Sequence, residues 1–435
     1  MREVFSDEGF AAAFLETERA LLQVQEAYGL VPAGEEAKLA HFRADEFDLA
    51  EASAAALATG NPVAGLVDQL YRASSYAHFG ITAHDAWDVA HVLQLRAAAG
   101  LVLTDLRAVL EVLASGAERH ATTPMLGRTQ GQAGAPTTFG FKLATWLDEL
   151  LRLGDGLERA RDEGAVVSVA GAVGTASSFE VIGGSSSAIE AGVASILGLY
   201  VSDTPWFTSR DRFVALAAAL AQLCTCAGKI GHEIYNLQRT GIGELAEGGA
   251  FGSSATPQKS NPWRAQKLHG LGVIARNLAA LVGDGAALAE GEREIGMAYA
   301  EWYGLAQLCL VSGRACADLA ALLERLEVRE GAMLANLCQD PSVLSESLSM
   351  LLSRAVGKER GYALMKAAMA RYRAGQAFPE AAGEAFREAG LDAPKGLVQW
   401  PGELGWAPAR ARGVAAKARS WLAEKRQGGC GRPSG

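Results

Sequence analysis

Apolar residues recur along most of this chain at three- and four-residue spacings, and alternating apolar and polar runs are rare. That period predicts helix over residues 8–28, 84–120, 136–162, 211–240, 262–290 and 298–328. Several of these windows are far longer than an ordinary globular helix. A helix of that length buries its apolar stripe only against partners of similar length. The expected fold is therefore all-α: a long central helical bundle flanked by two small, mainly helical domains. The divisions fall at 1–99, 100–344 and 345–435, with little sheet.

Charge and cysteine usage narrow the partners. The chain has 40 Lys+Arg against 49 Asp+Glu, a net charge of -9, and no long basic tract. Nucleic acid needs clustered cations and is not expected as a partner. The opening MREVFSDEGFAAAFLE is charged and has no signal-peptide core, and no long uncharged apolar run follows, so neither export nor a membrane span is expected. Cys224, Cys226, Cys309, Cys316, Cys338 and Cys430 are scattered without a CxxC pair or a histidine at ligand spacing. They read as reduced thiols of a cytoplasmic protein. Cys224 and Cys226 fall on different faces of a helix, and neither a metal nor a cofactor is expected.

Two segments break the helical rhythm. Val166 to Thr175 is small and Gly-rich, and is open between a strand or buried turn and close helix packing. Glu247 to Pro262 is rich in glycine, proline and hydroxyls and spells a mobile loop, with Asn261 as N-cap and Pro262 as the first residue of the next helix. A loop of this length between long helices is either disordered or functional. The tail from Gln427 to Gly435 is expected to fray.

Three polar clusters carry candidate chemistry, and each has an ordinary structural reading beside it. The Gly252–Pro262 stretch offers two hydroxyls, Lys259 and a helix start, a mixture that holds an anion or makes a solvated linker. Gly127-Arg128-Thr129-Gln130-Gly131-Gln132 precedes a helix opening near Pro136, and alone reads as a helix lead-in. His78 to Asp88 also precedes a helix, where His84 and Asp88 form an i,i+4 polar pair.

In combination the clusters say more. The order GxTxxDxxD, GRTxxQxxxPTTFG, GSSxxPxKxNP resembles the fumarase/aspartase superfamily of elimination enzymes. GSSATPQKSNP is similar to that superfamily's signature GSSxMPxKxNP, with Thr256 for Met. Gly60-Asn61-Pro62-Val63, Ser209-Arg210-Asp211-Arg212 and Leu237-Gln238-Arg239-Thr240 extend the likeness over nearly the whole chain. Its details look most like the branch of 3-carboxy-cis,cis-muconate cycloisomerase and adenylosuccinate lyase.

The resemblance implies a homotetramer whose active sites are each built from three subunits. It makes Ser253 the general base that removes a proton alpha to a carboxylate. Lys259 and Asn261 would hold substrate carboxylate, and Thr82, Thr129 and Gln132 would hydrogen-bond substrate. Arg128, Gln130 and Ser254 belong to the same substrate-binding set, Arg128 with an acidic partner as its alternative. His84, His78, Asn61 and Arg276 are further candidates, Arg276 with a plain surface role as its alternative. Chemically, the developing dianion needs fixed donors and cations in a closed pocket, which suits a serine on a Gly-rich lid.

Departures from the family pattern shape the expected reaction. Gln130 stands where many relatives have a histidine that protonates a departing nitrogen, and glutamine cannot act as that acid. Ala83 and Ser260 remove two donors usually found near the substrate. Stable anionic leaving groups and a small dicarboxylate substrate are therefore expected. Elimination of nitrite from nitrosuccinate, giving fumarate, is the first reading. Carboxymuconate cycloisomerase is the alternative, followed by adenylosuccinate- or argininosuccinate-type C–N lyases and an inactive crystallin-like homologue.

Overall fold

A computed structural model describes residues 1–249, 251–252, 254–296 and 298–427. Ser253, Cys430 and all but the first residue of the tail expected to fray lie outside the described residues. The helical expectation holds almost throughout. Helices α1 (Asp7–Ala27), α2 (Glu35–His41), α3 (Leu49–Thr59) and α4 (Ala64–Ala73) precede the first long one, α5 (Ala83–Arg119). Next come α6 (Phe139–Glu163), the short α7 (Ser177–Val181) and α8 (Ser186–Leu197), and the long α9 (Asp211–Gln238), α10 (Trp263–Ala287) and α11 (Ala298–Glu324). The C-terminal part holds α12 (Glu330–Cys338), α13 (Ser345–Val356), α14 (Lys358–Arg373), α15 (Phe378–Glu388) and α16 (Ala407–Gln427).

Among the described residues, sheet is confined to antiparallel two-stranded ladders. β1 (Pro124–Thr129) pairs with β2 (Gln132–Thr138), β3 (Leu245–Glu247) with β6 (Leu326–Val328), and β4 (Phe251–Gly252) with β5 (Ser260–Asn261). The first ladder corrects the expected helix lead-in. Gln130 at φ 51° and Gly131 at φ 77° put two left-handed residues between the strands, the signature of a tight hairpin turn. The helix therefore opens at Phe139, three residues later than the periodicity placed it. Likewise Asn261 is a strand residue and not an N-cap. The Pro262 carbonyl accepts from the Gln266 amide, and α10 opens at Trp263.

The chain divides into two compact units, each built from three stretches. One comprises Met1–Leu106, Arg152–Gly228 and Leu268–Asp318; the other comprises Arg107–Leu151, Lys229–Lys267 and Leu319–Gly435. In the first unit, α1 packs on α8 and α3 on α4, around a core containing Phe14, Leu22, Leu39, Leu66 and Leu70. The ends of α1 and α3 follow their sequence: Ser6 accepts from Gly9 N–H, and Asp48 from the Ala50 and Glu51 N–H groups. In the second unit, α13, α14 and α15 pack in succession around Leu352, Met365, Phe378 and Phe386.

The Val166–Thr175 segment forms neither helix nor a ladder of more than one bridge, with Val166 opposite Tyr200. It is nonetheless buried at Val166, Val167, Ser168, Val169 and Ala170. Helices α9 and α11 contain windows long and apolar enough to cross a membrane, but 61% of each window is buried inside the protein, as in core helices. The described cysteines Cys224, Cys226, Cys309, Cys316 and Cys338 are free thiols. Among the described residues no group of His, Cys, Asp or Glu forms a metal site.

Gly140 in the first turn of α6 abuts the end of α5: a Cβ there would lie 2.5 Å from the Ala117 carbonyl oxygen and 2.6 Å from Ala121 Cα. Gly156, further along α6, has open space around it. Gly140→Ala should lower stability by about 1–3 kcal/mol through overpacking, and Gly156→Ala should raise it by up to about 1 kcal/mol through helix propensity. Denaturation midpoints of the two variants, measured side by side, check both signs.

Candidate active site

The first candidate position lies at the start of α5. Thr82 precedes the helix, and its carbonyl accepts from the Ala86 amide. The sequence Thr82-Ala83-His84-Asp85 is a capping-box pattern. Asp85 Oδ2 accepts from both the Thr82 amide, at 2.9 Å, and the Thr82 hydroxyl, at 2.7 Å. The same carboxylate accepts from Ser168 Oγ at 3.0 Å, Ala170 N–H at 3.1 Å and Gly171 N–H at 3.2 Å. Asp85 is fully buried, and its hydrogen bonds fasten the irregular 168–171 segment to the helix start.

Arg293, between α10 and α11, completes this corner. Its Nη1 donates to Thr82 Oγ1 at 2.5 Å and its Nη2 to the Gly171 carbonyl at 2.6 Å. The guanidinium lies 3.9 Å from the Phe207 ring centroid and 3.9 Å from Asp85 Oδ2. Burial pulls its pKa down, with Asp85 and Asp88 opposing. Arg293 was absent from the sequence-derived set. The available signal was a single arginine within Glu290-Gly291-Glu292-Arg293-Glu294, between two apolar helices.

One turn further on is a buried ionic cluster. Arg210 donates through Nη1 and Nη2 to Asp88 at 3.0 Å each, and through Nε to Glu301 at 2.9 Å. The rings of Trp206 and Phe213 flank its guanidinium at 5.0 and 4.6 Å. Burial alone would raise the Asp88 pKa, but Arg210 and then His84 hold it below the usual carboxylate range. Glu301 is raised by burial despite Arg210. Such a triad fixes geometry more than it adds stability, because desolvation offsets most of the attraction.

His84 belongs to this cluster's packing. Its Nε2 lies 3.2 Å from Asp88 Oδ2 without the alignment of a hydrogen bond, and its ring packs against Phe207 and Trp302 at 5.8 Å each. Only 3% of its side chain is exposed. Trp87 is packed with core residues, its ring 4.3 Å from Trp302. His78 is different. It sits at φ 55°, with Nδ1 2.7 Å from Glu18 Oε1. Asn61 closes its own turn by accepting from the Val63 amide. Arg276 is exposed on α10 and reaches Thr225 Oγ1 at 3.4 Å, which fits its surface alternative.

The other two clusters lie in the second unit. Thr129 and Gln132 face each other at the last pair of the β1–β2 hairpin, and Gln130 occupies its tip; all three are exposed in the single chain. Arg128 is engaged elsewhere. Its Nη1 and Nη2 meet the fully buried Glu244 at 3.0 and 2.6 Å, the acidic partner named as its alternative. Asn336 Nδ2 donates to the same carboxylate at 2.8 Å.

The signature loop is closed at its base by the β4–β5 ladder, with Phe251 opposite Asn261 and Gly252 opposite Ser260. Ser254 and Lys259 are exposed and Asn261 is half-buried. Glu247, buried at the loop's entrance, accepts from the Arg264 and Ala265 amides and so caps α10. Gln238 Oε1 accepts from the Glu247 amide at 2.7 Å, and its Nε2 donates to the Ser260 carbonyl at 3.4 Å. A cavity of about 510 Å³ opens here, lined by Tyr235, Gln238, Arg239, Gln258, Lys259 and Asn261 among others. Its lining carries two cations and no acid.

These features accord with known proteins. The family model described as "Lyase" matches residues 22–275. The chain belongs to this lyase family, within the fumarase/aspartase superfamily. Three relatives illustrate its range. A 3-carboxy-cis,cis-muconate cycloisomerase of Pseudomonas aeruginosa is 37% identical, over 84% of this chain and 82% of the relative. An N-acetyl-S-(2-succino)cysteine lyase of Dickeya dadantii is 33% identical, over 84% and 82%. A nitrosuccinate lyase of Streptomyces davaonensis is 32% identical, over 83% and 79%. The 3-carboxy-cis,cis-muconate lactonizing enzyme of Pseudomonas putida superposes with a TM-score of 0.87 at 29% identity, covering 97% of each chain.

Two variants test the corner. Asp85→Ala strands buried donors from Thr82, Ser168, Ala170 and Gly171, and should cost at least about 3 kcal/mol of stability. His91, buried beside Asp88, Arg210 and Gln94, has its pKa lowered to about 4, by burial first and by Arg210, against Asp88 and Gln94. The folded state then binds this proton less readily than the unfolded chain does. Its contribution is complete above the unfolded value of about 6.5 and is lost as pH falls towards 4. The integrated loss is about 3 kcal/mol. Denaturation from pH 7.5 down should show a shallower decline in His91→Gln.

Proposed function

We propose that the chain is a carboxymuconate cycloisomerase, adding a substrate carboxylate across a carbon–carbon double bond to form a lactone. The observation that carries this reading is the cavity beside the signature loop. Lys259 and Arg239 supply positive charge, and Tyr235, Gln238, Gln258 and Asn261 supply donors, without an opposing acid in the lining. Among the described residues neither Lys259 nor Arg239 has an acidic partner; Arg239 reaches only the neutral Asn236 side chain, at 3.5 Å. The sequence alone favoured a small dicarboxylate, because Ala83 and Ser260 each remove a donor. Arg239 and the two glutamines replace those donors, and a tricarboxylate fits the charge of the site. The cycloisomerase from Pseudomonas aeruginosa, at 37% identity, supports the same choice.

In this reaction the internal carboxylate oxygen bonds to one alkene carbon as the π bond breaks. The electrons pass to the neighbouring carboxylate, giving an aci-carboxylate dianion held by Lys259 and Asn261. Ser253, assigned by its place in the GSSATPQKSNP signature, delivers the proton to the alpha carbon and removes it in the reverse direction. No heteroatom departs needing a proton, so Gln130 at the hairpin tip is no handicap. Thr82, fixed by Asp85 and Arg293, and Thr129 and Gln132 on the hairpin, complete the substrate contacts. Arg128 is left out of this set because Glu244 occupies it.

The same reading includes a cytoplasmic homotetramer with sites shared among three subunits. Leu101 on α5, Val273 and Ile274 on α10, and Tyr299 and Tyr303 on α11 are 41 to 61% exposed in the single chain. Large apolar side chains at such exposure on long helices suit cover by further copies. A second reading is elimination of nitrite from nitrosuccinate. The relative of that name, at 32% identity, favours it, and Gln130 suits that leaving group equally well.

Incubation with 3-carboxy-cis,cis-muconate, followed by loss of its ultraviolet absorbance, tests the first reading. Lactone formation that disappears in Ser253→Ala, with the tetramer intact by light scattering, is expected. Lys259→Met should raise KM and lower kcat together, by roughly 10² in kcat/KM. No turnover of the muconate, with fumarate and nitrite released in step from 2-nitrosuccinate, would establish the second reading instead.

A further inference from the structure

We propose that a cavity at the root of the β1–β2 hairpin binds a free α-amino acid with a large apolar side chain, and that its occupancy stiffens the hairpin. The cavity lies wholly within the second unit, has a volume of about 400 Å³, and shares no lining residue with the one beside the signature loop. It is bounded by the last turns of α5, the start of α6, the end of α11 and β6. The hairpin is inserted between α5 and α6, so both of its ends spring from the cavity wall. Two backbone hydrogen bonds close that root. Phe139 N–H donates to the Thr123 carbonyl at 2.9 Å, and Gly140 N–H to the His120 carbonyl at 2.8 Å. Thr129 and Gln132 form the last pair at the far end of the same ladder.

The lining divides by chemistry. Phe139, Leu143 and Leu326 give an apolar wall, and Arg119, His120 and Glu324 give charge and hydrogen-bonding groups. A further acid, Glu111, is paired with Arg426. Arg119 and Glu324 are exposed, and neither forms an ion pair with another described residue. They are the last residues of α5 and α11, where the helix dipoles add partial negative charge. His120 is only 6% exposed. Its Nδ1 lies 3.1 Å from Glu330 Oε1 and 3.2 Å from Thr123 Oγ1, and its ring meets Phe139 edge-on at 5.3 Å. Burial lowers its pKa, with Glu330 opposing and Arg119 adding, so the ring is neutral at pH 7. A carboxylate only accepts, so Nδ1 carries the hydrogen towards Glu330. Nε2, which has no hydrogen-bond partner among the described residues, is then an acceptor.

Charge selects the ligand. Two carboxylates and two helix C-termini against Arg119 turn away a di- or tricarboxylate, which separates this cavity from a substrate site. A simple amine meets the guanidinium unopposed. A zwitterion satisfies both ends, with its carboxylate on Arg119 and its ammonium donating to Glu324 and to His120 Nε2. Its side chain then lies against Phe139, Leu143 and Leu326, in the mixture of apolar wall and few polar groups that small-molecule sites use. Such a ligand bridges α5, α6 and α11 around the two hydrogen bonds of the root. Opening of the hairpin then requires its release. Only the consequence for turnover rests on the reading above, in which Thr129 and Gln132 contact substrate.

Calorimetric titration of the full chain with L-phenylalanine, 3-phenylpropionate and 2-phenylethylamine tests the ligand class. L-Phenylalanine should bind saturably, and each singly charged analogue at least roughly fivefold more weakly. Arg119→Met and Glu324→Gln change exposed side chains and leave the core intact. The first should abolish the preference for phenylalanine over the amine, and the second should shrink its preference over the propionate. Hydrogen exchange across residues 124–140 should slow by roughly tenfold at ten times the dissociation constant of L-phenylalanine, and the slowing should disappear in Arg119→Met. No saturable binding, equal binding of the propionate, or binding untouched by both variants would overturn the site. Bound ligand with unchanged exchange at 124–140 would overturn the stiffening. These readouts need no turnover, so failure of the cycloisomerase reading leaves them unchanged, and failure of the cavity proposal leaves muconate turnover unchanged.

Discussion

The Asp85 carboxylate is the interaction on which the α5 corner of the structure depends. Buried without solvent, it is stable as an acceptor only because the Thr82 amide and hydroxyl, Ser168 Oγ and the Ala170 and Gly171 amides all point at it. Its satisfaction orders three pieces of chain at once: the first turn of α5, the irregular 168–171 stretch and, through Thr82 and the Gly171 carbonyl, Arg293. Thr82 is therefore held in one orientation by the fold itself. The neighbouring Asp88–Arg210–Glu301 triad extends the same device one turn along α5.

Buried acids serve the signature loop in a comparable way. Glu244 holds Arg128 and Asn336 beside the hairpin, and Glu247 caps α10 just beyond the loop. Gln238 ties the entrance strand to the exit strand. The fixed charges thus sit at the loop's ends, whereas Ser254 and Lys259 between them are exposed.

Much of this was legible in the sequence. The long helices followed from apolar spacing, and their observed ends lie within a few residues of expectation except where other chemistry intervened. At Pro124–Thr138 it was turn chemistry: Gln130-Gly131 at positive φ closes a hairpin that an apolar-period argument does not register. At Asn261 the ladder to Phe251 took a residue whose type suits a helix cap. The GxT, GRT and GSS clusters were recognisable because each keeps its spacing within a short stretch. Arg293 and Glu18 were not, because nothing local distinguishes an arginine or glutamate that will find its partner in a distant segment.

The sequence by itself determined the helical class, the superfamily and the identity of the loop that carries Ser253, since these depend on periodicity and on motifs read within a few residues. Tertiary structure decided which charged side chains are occupied and which are free. Arg128 and His84 are taken up by Glu244 and by a packed aromatic wall, whereas Lys259 and Arg239 line a cavity without an acidic partner among the described residues. The physical reason is that a buried charge must be neutralised or hydrogen-bonded wherever the fold brings a partner, and residues far apart in sequence supply that partner only once the chain has packed.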